Sequence, residues 1–270
     1  MIEFIKLLSG YSGCHVHLYK KDNKYFVRKI SGSTEYNKRL ERQIVKQASF
    51  KHPVIRAPQV YKTGYINGYF YADMEYVDGK TVADIIRQKD YSTADKAIYN
   101  VITLFAPTNT VLINAQDIVS KISDIHTMLC KFDDTEPCKK TIQQLNNHTW
   151  ETHPIACHGD LTLENILVKD GTVYLIDFLD TFHDCLEIDI AKLLQDLLCM
   201  WSFRYSDLNQ ESINFLQICS ENIINLYTKI TESSIDQIYA MLKLTLLRIY
   251  PYIKDNETKI FLDKKLEDLL

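Results

Sequence analysis

The chain has 270 residues, 46% of them hydrophobic, which is enough for one two-lobed domain or two small domains. The formal net charge of −4 gives no basic footprint for nucleic acid, and the seven cysteines never occur as Cys-x-x-Cys, so neither a nucleic-acid partner nor a zinc site is expected. Glu3 and Lys6 interrupt the apolar start and no apolar run is long enough to span a bilayer, so the sequence predicts a soluble, cytoplasmic protein with no membrane partner and of unknown oligomeric state.

Two strand-like runs are predicted between Phe4 and Ile30, on either side of a turn over residues 21–24, and a loop over 9–13 interrupts the first run. Side chains alternate along the second strand, which places Lys29 on one face and Arg28 on the other. A one-residue bulge would exchange the two residues. Lys29 is therefore the candidate cation on the inner face, and Arg28 is the alternative.

A loop of small residues interrupts the first of these runs. Ser12 and Gly13 would let backbone N–H groups come close to phosphate oxygens. A plain β-turn is the commoner explanation of Gly-x-x-Gly. What favours a phosphate contact is the strand with Lys29 that follows the loop.

A helix is predicted next, capped by residues 33–35 and running through 36–45 with Leu40, Ile44 and Val45 inward. It brings two acids into the neighbourhood of the lysine strand. Glu41 lies twelve residues after Lys29, and Glu35 lies six residues after it. Either acid is a candidate partner for the lysine, with Glu41 preferred.

Two further strands, over 60–65 and 68–74, complete a five-stranded antiparallel small lobe. The second of them runs into a segment that closes with Asp78-Gly79, and this segment is either an interlobe linker or an ordinary strand end. The predicted organisation is an N-terminal lobe over 1–77, a hinge near 75–79 and a mainly helical C-terminal lobe over 78–270.

From Thr81 onward, apolar residues recur at three- and four-residue spacing, which predicts helices. The predicted helices span 82–89, 94–105, 115–129, 189–205, 211–230, 234–250 and 258–270. His126 falls in one of them and is interpreted as a packed histidine.

The segment from His158 to Asp177 has the spacing of a phosphoryl-transfer centre. Asn165 follows Asp160 by five positions, and two apolar runs around Asp170-Gly171 predict a hairpin. A hairpin reverses the chain, so Asn165 at its entry and Asp177 at its exit come side by side. Their oxygens suit Mg²⁺, and Asp160 could accept the proton of an attacking hydroxyl, as the corresponding groups do in protein kinases.

A β-hairpin with acids at its ends for solubility is the alternative interpretation of this segment. Against it, eight acids lie between His158 and Asp189 inclusive, with Lys169 as the sole lysine. Uncompensated carboxylates repel one another and raise their own pKa values unless a cation lies among them. The crowding of acids therefore favours a metal site.

His-Gly-Asp-x-x-x-x-Asn-Ile-Leu over 158–167 and Leu-Ile-Asp-Phe over 175–178 resemble the aminoglycoside phosphotransferase and choline kinase group of kinase-fold enzymes. The resemblance covers most of the chain and is strongest over 155–197. It implies an α+β, two-lobed protein-kinase-like fold with a five-stranded antiparallel N-lobe and a mainly helical C-lobe. It also implies Mg²⁺-dependent transfer of the γ-phosphate of ATP, or of GTP, to a hydroxyl of a small molecule such as an aminoglycoside, an amino sugar, a sugar or a choline-like amine.

The resemblance implies a role for each candidate residue. Asp160 would be the catalytic base, Asn165 and Asp177 would hold one or two Mg²⁺ ions, and His158 and Asp189 would support the loop. The nucleotide would be bound by Ser12, Gly13, Lys29, Met74, Glu75 and Val77, with Glu41, or Glu35 in its place, orienting the lysine. Pairing of Glu41 with a surface cation is almost as compatible with the sequence.

The acceptor is predicted to be a small molecule. Asp189 follows Asp177 by only twelve positions and no Ala-Pro-Glu comes after, which leaves no room for a protein-binding activation segment. Crowded acids favour a cationic acceptor, although metal ions offset part of that charge. Candidate acceptor contacts, each of which could instead be a packing residue, are Asp180, His183, Asp184, Trp201, Arg204, Tyr205 and Arg248. An atypical protein kinase and a non-catalytic nucleotide-binding scaffold are the alternatives.

Overall fold

The structure is a computed structural model that describes residues 2–8, 13–105, 113–114, 116–130 and 135–270. The chain divides into two compact units. Unit 1 comprises Met1–Val82 and Asn165–Asp180, and unit 2 comprises Ala83–Glu164 and Thr181–Leu270. The hairpin of the catalytic motif therefore belongs to unit 1, and the loop before it belongs to unit 2. The lobe boundary at residues 77 and 78 stays a prediction.

Unit 1 contains two sheets, and unit 2 contains one short strand pair. The first sheet is five-stranded and antiparallel, in the order β1-β2-β3-β6-β5, as the sequence predicted. The second has the order β4-β11-β10-β7, and β8 pairs with β9 in unit 2. The strands are β1 (Ile2–Leu8), β2 (Cys14–Lys21), β3 (Lys24–Ser31), β4 (Ile55–Arg56), β5 (Val60–Ile66), β6 (Tyr69–Glu75), β7 (Lys80–Thr81), β8 (Ile113–Asn114), β9 (Glu151–Thr152), β10 (Ile166–Lys169) and β11 (Thr172–Leu175).

Two hairpins of unit 1 close with two-residue turns. Asp22 and Asn23 join β2 to β3 with φ angles of 49° and 60°. Asp170 and Gly171 join β10 to β11 with φ angles of 49° and 73°. Positive φ at both central residues gives a turn whose twist matches that of the flanking strands. The turn chemistry in the sequence thus sets the register of both hairpins.

Helix α1 (Asn37–Ser49) covers one face of the five-stranded sheet. Leu40 and Ile44 are buried and pack with Phe70, Ala72 and Met74 of β6. Burial of these side chains, at about 25 cal/mol per Å² of apolar area, is the main free energy that holds the helix on the sheet.

One predicted inward residue of α1 is wrong. Val45 is 62% exposed, and the buried positions besides Leu40 and Ile44 are Gln43 and Gln47. Polar partners explain the difference, since Gln47 Nε2 donates to the carbonyl oxygen of Pro58 at 2.8 Å, and Gln43 Nε2 donates to the Tyr36 hydroxyl at 3.3 Å. A buried amide with a hydrogen-bond partner is tolerated at positions that a pattern of apolar residues alone would not select.

The rest of the chain is mainly helical. The helices are α2 (Val82–Arg87), α3 (Tyr91–Ile102), α4 (Gln116–Leu129), α5 (Glu136–Asn146), α6 (Leu186–Leu197), α7 (Gln210–Thr231), α8 (Ile235–Leu247) and α9 (Asn256–Asp268). Side-chain caps begin several of them, with Asp90, Asn209 and Asp255 accepting hydrogen bonds from the first turns of α3, α7 and α9. In the part of the chain that the structure describes, no helix combines the length and apolar character needed to cross a membrane.

Two helix predictions require correction. Helix α5 was not predicted, although its buried residues Cys138, Ile142 and Leu145 follow the i, i+4 and i+7 spacing of one helix face. The predicted helix over 189–205 instead starts at Leu186 and ends at Leu197. Its extension fails because Met200 adopts a left-handed backbone with φ of 61°, after which a short 3-10 turn begins.

Helix α6 is the central helix of unit 2. It packs against α7 and α8, and every one of its residues except Lys192 is buried. A helix that is apolar on most of its surface belongs in a core. Three buried acids, Glu187, Asp189 and Asp196, interrupt that apolar character. The hydrogen-bond partners of these acids show which segments of the protein the helix holds in place.

Candidate functional site

Lys29 lies on the face of β3 that points into unit 1. The β2–β3 ladder runs from Cys14↔Ser31 to Lys21↔Lys24 without a register shift, so the bulge considered for this strand is absent. Lys29 is 4% exposed, and its Nζ donates to Asp177 Oδ1 at 3.0 Å. Burial lowers the pKa of Lys29, but the surrounding groups, with Asp177 the largest contributor among them, together outweigh burial and the pKa is raised. The lysine is therefore held in its charged form.

Arg28 lies on the opposite face of the sheet. Its guanidinium forms a two-pronged ion pair with Asp73, at 2.6 and 2.7 Å. The rings of Tyr71 and Tyr19 lie 4.7 and 5.3 Å from the guanidinium carbon. Aromatic faces and a bidentate carboxylate hold the arginine in a structural role.

The predicted pairing of Lys29 with Glu41 is corrected by the structure. The carboxylate at Lys29 is Asp177, whereas Glu41 and the alternative Glu35 are both exposed. The phase of α1 explains this, because burial of residues 40, 44 and 47 turns position 41 toward solvent. The inward polar residue of α1 that is nearest to Glu41 in sequence is Gln43. Its Oε1 has no hydrogen-bond partner among the described residues.

Asn165 and Asp177 flank the open end of the β10–β11 hairpin. The ladder pairs Ile166 with Leu175, and the Asn165 carbonyl accepts from the Ile176 N–H at 3.0 Å. Asp177 has a left-handed backbone with φ of 59°, a conformation that Asp tolerates better than most residues, and its side chain is 47% exposed. The two side chains offer hard oxygen donors of the type that Mg²⁺ prefers.

These donors fit a magnesium site that takes most of its ligands from water and substrate. Within residues 2–8, 13–105, 113–114, 116–130 and 135–270, no group of three or more His, Cys, Asp or Glu side chains could hold a metal. Mg²⁺ commonly uses one or two protein carboxylates or amides and completes its octahedron with water and phosphate oxygens. Asn165 and Asp177 meet that requirement.

The small-residue loop can be described only in part. Ser12 lies outside the described residues. Gly13 accepts a hydrogen bond at its carbonyl oxygen from the Gly32 N–H, at 2.8 Å. A Cβ on Gly32 would lie 2.5 Å from that oxygen, so glycine is required there for the chains to approach.

The predicted adenine-binding segment begins at the end of β6, which is the fourth strand in the order of the five-stranded sheet. Met74 is buried in the core under α1, and Glu75 is the last residue of β6. Val77 is buried against Leu167 and Tyr174 of the β10–β11 hairpin. This packing places Val77 in a buried apolar cluster beside the hairpin.

In unit 2, the catalytic loop is held by a carboxylate of α6. The His158 N–H donates to Asp189 Oδ2 at 2.6 Å, and the Gly159 N–H donates to Asp189 Oδ1 at 2.7 Å. The Asp160 N–H donates to His158 Nδ1 at 3.2 Å. Asp189 lies within the first turn of α6, which begins three residues earlier, at Leu186.

Asp160 forms an ion pair that the sequence analysis missed. Lys192 Nζ lies 3.1 Å from Asp160 Oδ1. Burial raises the pKa of Asp160, but Lys192, His158 and Arg248, with Lys192 the largest contributor, together outweigh burial and hold the pKa below the usual range. Lys192 follows Asp189 by three residues and so shares its helix face, but that spacing alone does not identify Asp160 as its partner.

A second carboxylate of α6 binds the same loop farther along. Asp196 is fully buried, and its Oδ2 accepts from the Leu163 N–H at 2.7 Å while its Oδ1 accepts from the Ser202 N–H at 2.9 Å. Burial raises the pKa of Asp196 to about 6. Asp189, Lys192 and Asp196 thus stand at positions i, i+3 and i+7 of one helix, and all three contact residues of the segment 158–163.

Three predicted acceptor residues have partners within their own units. In unit 1, Arg42 binds Asp180 at 2.6 Å. In unit 2, His183 Nε2 is 2.8 Å from Thr152 Oγ1, and Asp184 Oδ1 accepts from Cys157 Sγ at 3.2 Å. The side chains of Asp180, His183 and Asp184, which were predicted to contact the acceptor, are therefore bonded to other residues of the protein.

The aromatic and basic candidates form two groups in unit 2. The Arg204 guanidinium lies 4.0 Å from the Trp201 ring and 4.4 Å from the Tyr205 ring. The Tyr205 hydroxyl donates to Asp255 Oδ2 at 3.0 Å, which ties this group to the start of α9. Arg248 is separate, with its guanidinium 5.1 Å from the Phe182 ring, and its charge acts on Asp160.

Comparison with known proteins agrees with this geometry. Residues 129–207 match the sequence model of a phosphotransferase enzyme family. The matched segment includes the catalytic loop, the β10–β11 hairpin and α6. No curated protein sequence matches the chain.

Solved structures share the fold along nearly the whole chain. An aminoglycoside phosphotransferase, APH(4)-Ia, in complex with ADP and hygromycin B, has a TM-score of 0.64 and 14% identity, covering 99% of this chain and 92% of that one. A putative fructosamine-3-kinase from Haemophilus somnus has a TM-score of 0.58 and 14% identity, covering 99% and 92%. An ethanolamine kinase from Plasmodium vivax has a TM-score of 0.55 and 15% identity, covering 99% and 82%.

At these identities the structural matches establish the fold alone, and the family match is confined to the segment that contains the predicted catalytic motif. The resemblance and the fold class predicted from the sequence are thereby confirmed. The chain therefore has the two-lobed kinase-like fold of these structures, and its residues 129–207 resemble the phosphotransferase enzyme family.

Proposed function

We propose that this chain transfers the γ-phosphate of a Mg²⁺-bound nucleotide, ATP or GTP, to a hydroxyl group of a small molecule. The observation that carries the proposal is the buried Lys29–Asp177 pair at the open end of the hairpin that Asn165 begins. Phosphoryl transfer requires mainly positioning and charge neutralisation, so a cation for the phosphates and oxygen ligands for the metal are the essential parts.

Unit 1 supplies the donor side in this proposal. Lys29 binds the α- and β-phosphates, and Asn165 and Asp177 hold Mg²⁺, which neutralises phosphate charge when bound. The ion pair of Lys29 with Asp177 supports these roles, because it keeps a buried ammonium charged until phosphate oxygens replace the carboxylate. The adenine base lies against Val77 and the hairpin, with Met74 and Glu75 beside it.

Unit 2 supplies the acceptor side. Asp160 accepts the proton of the acceptor hydroxyl, and His158 and Asp189 fix the loop that carries it. The lowered pKa of Asp160 supports a base that stays ionised near neutral pH and aims the hydroxyl. The proposed acceptor is a small molecule, since only eight residues, 178–185, separate Asp177 from the start of α6.

The relatives give candidate acceptors. The phosphotransferase in the comparison was solved with hygromycin B, and the others are described as a fructosamine kinase and an ethanolamine kinase. Aminoglycosides, sugars, glycated amines and amino alcohols therefore form the first panel to assay with the purified chain. Production of ADP or GDP and the ³¹P spectrum of the product would measure the transfer.

We expect at least one hydroxylated small molecule to be phosphorylated, with no turnover when Mg²⁺ is chelated. Asp160→Asn should reduce turnover about 10²–10⁴-fold, the usual contribution of a general base, with nucleotide affinity retained. Radiolabel that passes from γ-labelled ATP into added protein, with none in small molecules, would instead establish the protein-kinase alternative. Nucleotide binding without any transfer would establish a scaffold.

A further inference from the structure

The charges near the catalytic loop of unit 2 differ from those that the sequence suggested. The crowded acids predicted a cationic acceptor, but in the structure these acids accept hydrogen bonds from the protein. Cys157 and Thr181 donate to Asp184, and His153 and Tyr227 donate to Glu187. The His158 and Gly159 N–H groups donate to Asp189, and the Leu163 and Ser202 N–H groups donate to Asp196. Glu187, Asp189 and Asp196 are buried, so their charges face the protein interior.

The charges beside the catalytic carboxylate are positive. Lys192 Nζ lies 3.1 Å from Asp160 Oδ1, with the lysine side chain 12% exposed and the aspartate 27% exposed. Lys192 is also the one residue of α6 that is not buried. Arg248 is a second cation whose charge acts on Asp160, and it lies over the Phe182 ring. Lys192 and Arg248 are thus two cations whose charges act on the Asp160 carboxylate.

We propose that Lys192, together with Arg248, selects an acceptor that carries an anionic group, a carboxylate or a phosphate, close to the hydroxyl that is phosphorylated. The inference rests on the proposed function and names the substrate class of that site. An acceptor hydroxyl must approach the Asp160 carboxylate, one oxygen of which lies 3.1 Å from the Lys192 ammonium. An anionic group on the acceptor gives that ammonium a second partner beside Asp160.

The transfer itself leaves that anionic group unchanged. The acceptor hydroxyl gives its proton to Asp160 and its oxygen bonds to the γ-phosphorus, while the bond from the γ-phosphorus to the bridging oxygen breaks and the nucleoside diphosphate leaves. An amine near the same hydroxyl would place a third cation beside Lys192 and Arg248. Like charges at short range oppose binding, so amine-bearing acceptors should bind least well.

Matched acceptors test the charge preference directly. Two frames serve, a three-carbon series of glycerol, 3-aminopropane-1,2-diol, glycerate and glycerol 3-phosphate, and a six-carbon series of glucose, glucosamine, glucuronate and glucose 6-phosphate. Affinity is measured by calorimetry with Mg²⁺ and a non-hydrolysable nucleotide present, and turnover is measured with ATP. Within at least one frame, the anionic member should bind about tenfold or more tightly than the neutral member, with the amine weakest. The carboxylate and phosphate members distinguish the two anions.

Substitutions at Lys192 connect the preference to this residue. Lys192→Gln should raise KM for the anionic acceptor about tenfold and leave nucleotide affinity unchanged, and Lys192→Glu should shift the preference toward the amine. Lys229→Gln, at an exposed position of α7, is the matched control and should change neither value.

Three results would overturn the inference: preference for the amine in the wild-type chain, no preference for an anionic member in either frame, or a preference that persists in Lys192→Gln. Failure of the proposed function would look different. In that case the wild-type chain would neither bind Mg²⁺-nucleotide nor phosphorylate any member, whereas phosphorylation of amine acceptors alone would reject only the anionic preference.

Discussion

The Lys29–Asp177 pair is asymmetric in its burial. The lysine side chain is 5% exposed and the aspartate side chain is 47% exposed. An unpaired buried charge costs far more than an unpaired charge that water can reach. The two residues should therefore differ in what their loss does to the folded state, although they form one contact.

Asp177→Asn should destabilise the nucleotide-free protein by about 1–3 kcal/mol, because Lys29 stays buried without a counter-charge. Asparagine tolerates the left-handed backbone at this position, so the substitution adds little backbone strain. Lys29→Met should cost less, since the remaining Asp177 can be hydrated. Urea unfolding without Mg²⁺ and nucleotide gives both free energies.

The exposed pair of Lys140 with Glu136, 3.9 Å apart, provides the control. Glu136→Gln should change the free energy of unfolding by less than about 1 kcal/mol, as exposed ion pairs do. A larger loss in Lys29→Met than in Asp177→Asn would show that the lysine is not held by this carboxylate.

Single residues of the site could be predicted where a motif fixes them. Asp160, Asn165 and Asp177 follow from spacing, because the hairpin between them has a turn that the sequence specifies. Lys192 could not be assigned from spacing alone, since any polar residue at that position of α6 could equally face solvent. Its contact depends on the path of the loop 158–163, which is a tertiary feature.

At the scale of elements, α6 holds the catalytic loop at several points. Asp189 binds the first part of the loop and Asp196 binds Leu163, where a short 3-10 turn to Asn165 begins. Both acids accept backbone N–H groups, which leaves the donors of an irregular loop satisfied inside the protein. The helix thus fixes the backbone on either side of Asp160.

Asp196 makes the stability of this arrangement depend on pH. Its pKa is raised to about 6 in the folded protein, against about 3.9 for an aspartate in an unfolded chain. A group with a raised folded pKa stabilises most when protonated, so its contribution is complete below about pH 4 and is lost as the pH rises through about 6. The maximum change is about 3 kcal/mol for this shift of about two units.

Comparison with Asp196→Asn isolates this contribution, since the variant cannot ionise. The free energy of unfolding of the wild-type chain minus that of the variant should decrease as the pH rises from 4 to 7. Urea unfolding at unit steps of pH measures it. Glu221→Gln, at an exposed position of α7, should give a constant difference, and a constant difference for Asp196→Asn as well would contradict the buried carboxyl.

Helix boundaries show why elements are harder to predict than motifs. The inward face of α1 includes Gln43 and Gln47, which an apolar pattern cannot select because their partners come from Tyr36 and Pro58. The end of α6 is set by the left-handed Met200 and by the Asp196 contact to Ser202, neither of which has a local signature. The five strands of the first sheet were predicted, since alternation and turn residues are local signals.

At the scale of the whole molecule, the order of motifs determined the fold prediction. A lysine strand, a helix, an extended segment, a catalytic loop and a metal-ligand hairpin occur in that order, and the shared fold confirms what they imply together. The two-unit division adds a feature that the order did not predict, because Asn165–Asp180 groups with the N-terminal residues. Close packing of the hairpin against Val77 accounts for that grouping.

The last prediction concerns nucleotide binding by the intact chain. A ligand that binds only the folded state raises the free energy of unfolding by RT ln(1 + [L]/Kd), about 2.7 kcal/mol at a concentration one hundred times Kd. Mg²⁺-ATP, or Mg²⁺-GTP, should therefore raise the melting temperature, with little effect of Mg²⁺ alone. Lys29→Met should reduce the rise in melting temperature that the nucleotide causes, because the phosphates lose their cation. Asp177→Asn should make that rise independent of Mg²⁺. Asp160→Asn should keep the full shift, since the proposed partner of that carboxylate is the acceptor and not the nucleotide. A folded wild-type protein whose melting temperature responds to neither nucleotide would exclude unit 1 as a nucleotide site, and loss of the Mg²⁺ dependence in Asp160→Asn, with its retention in Asp177→Asn, would reverse the assigned roles.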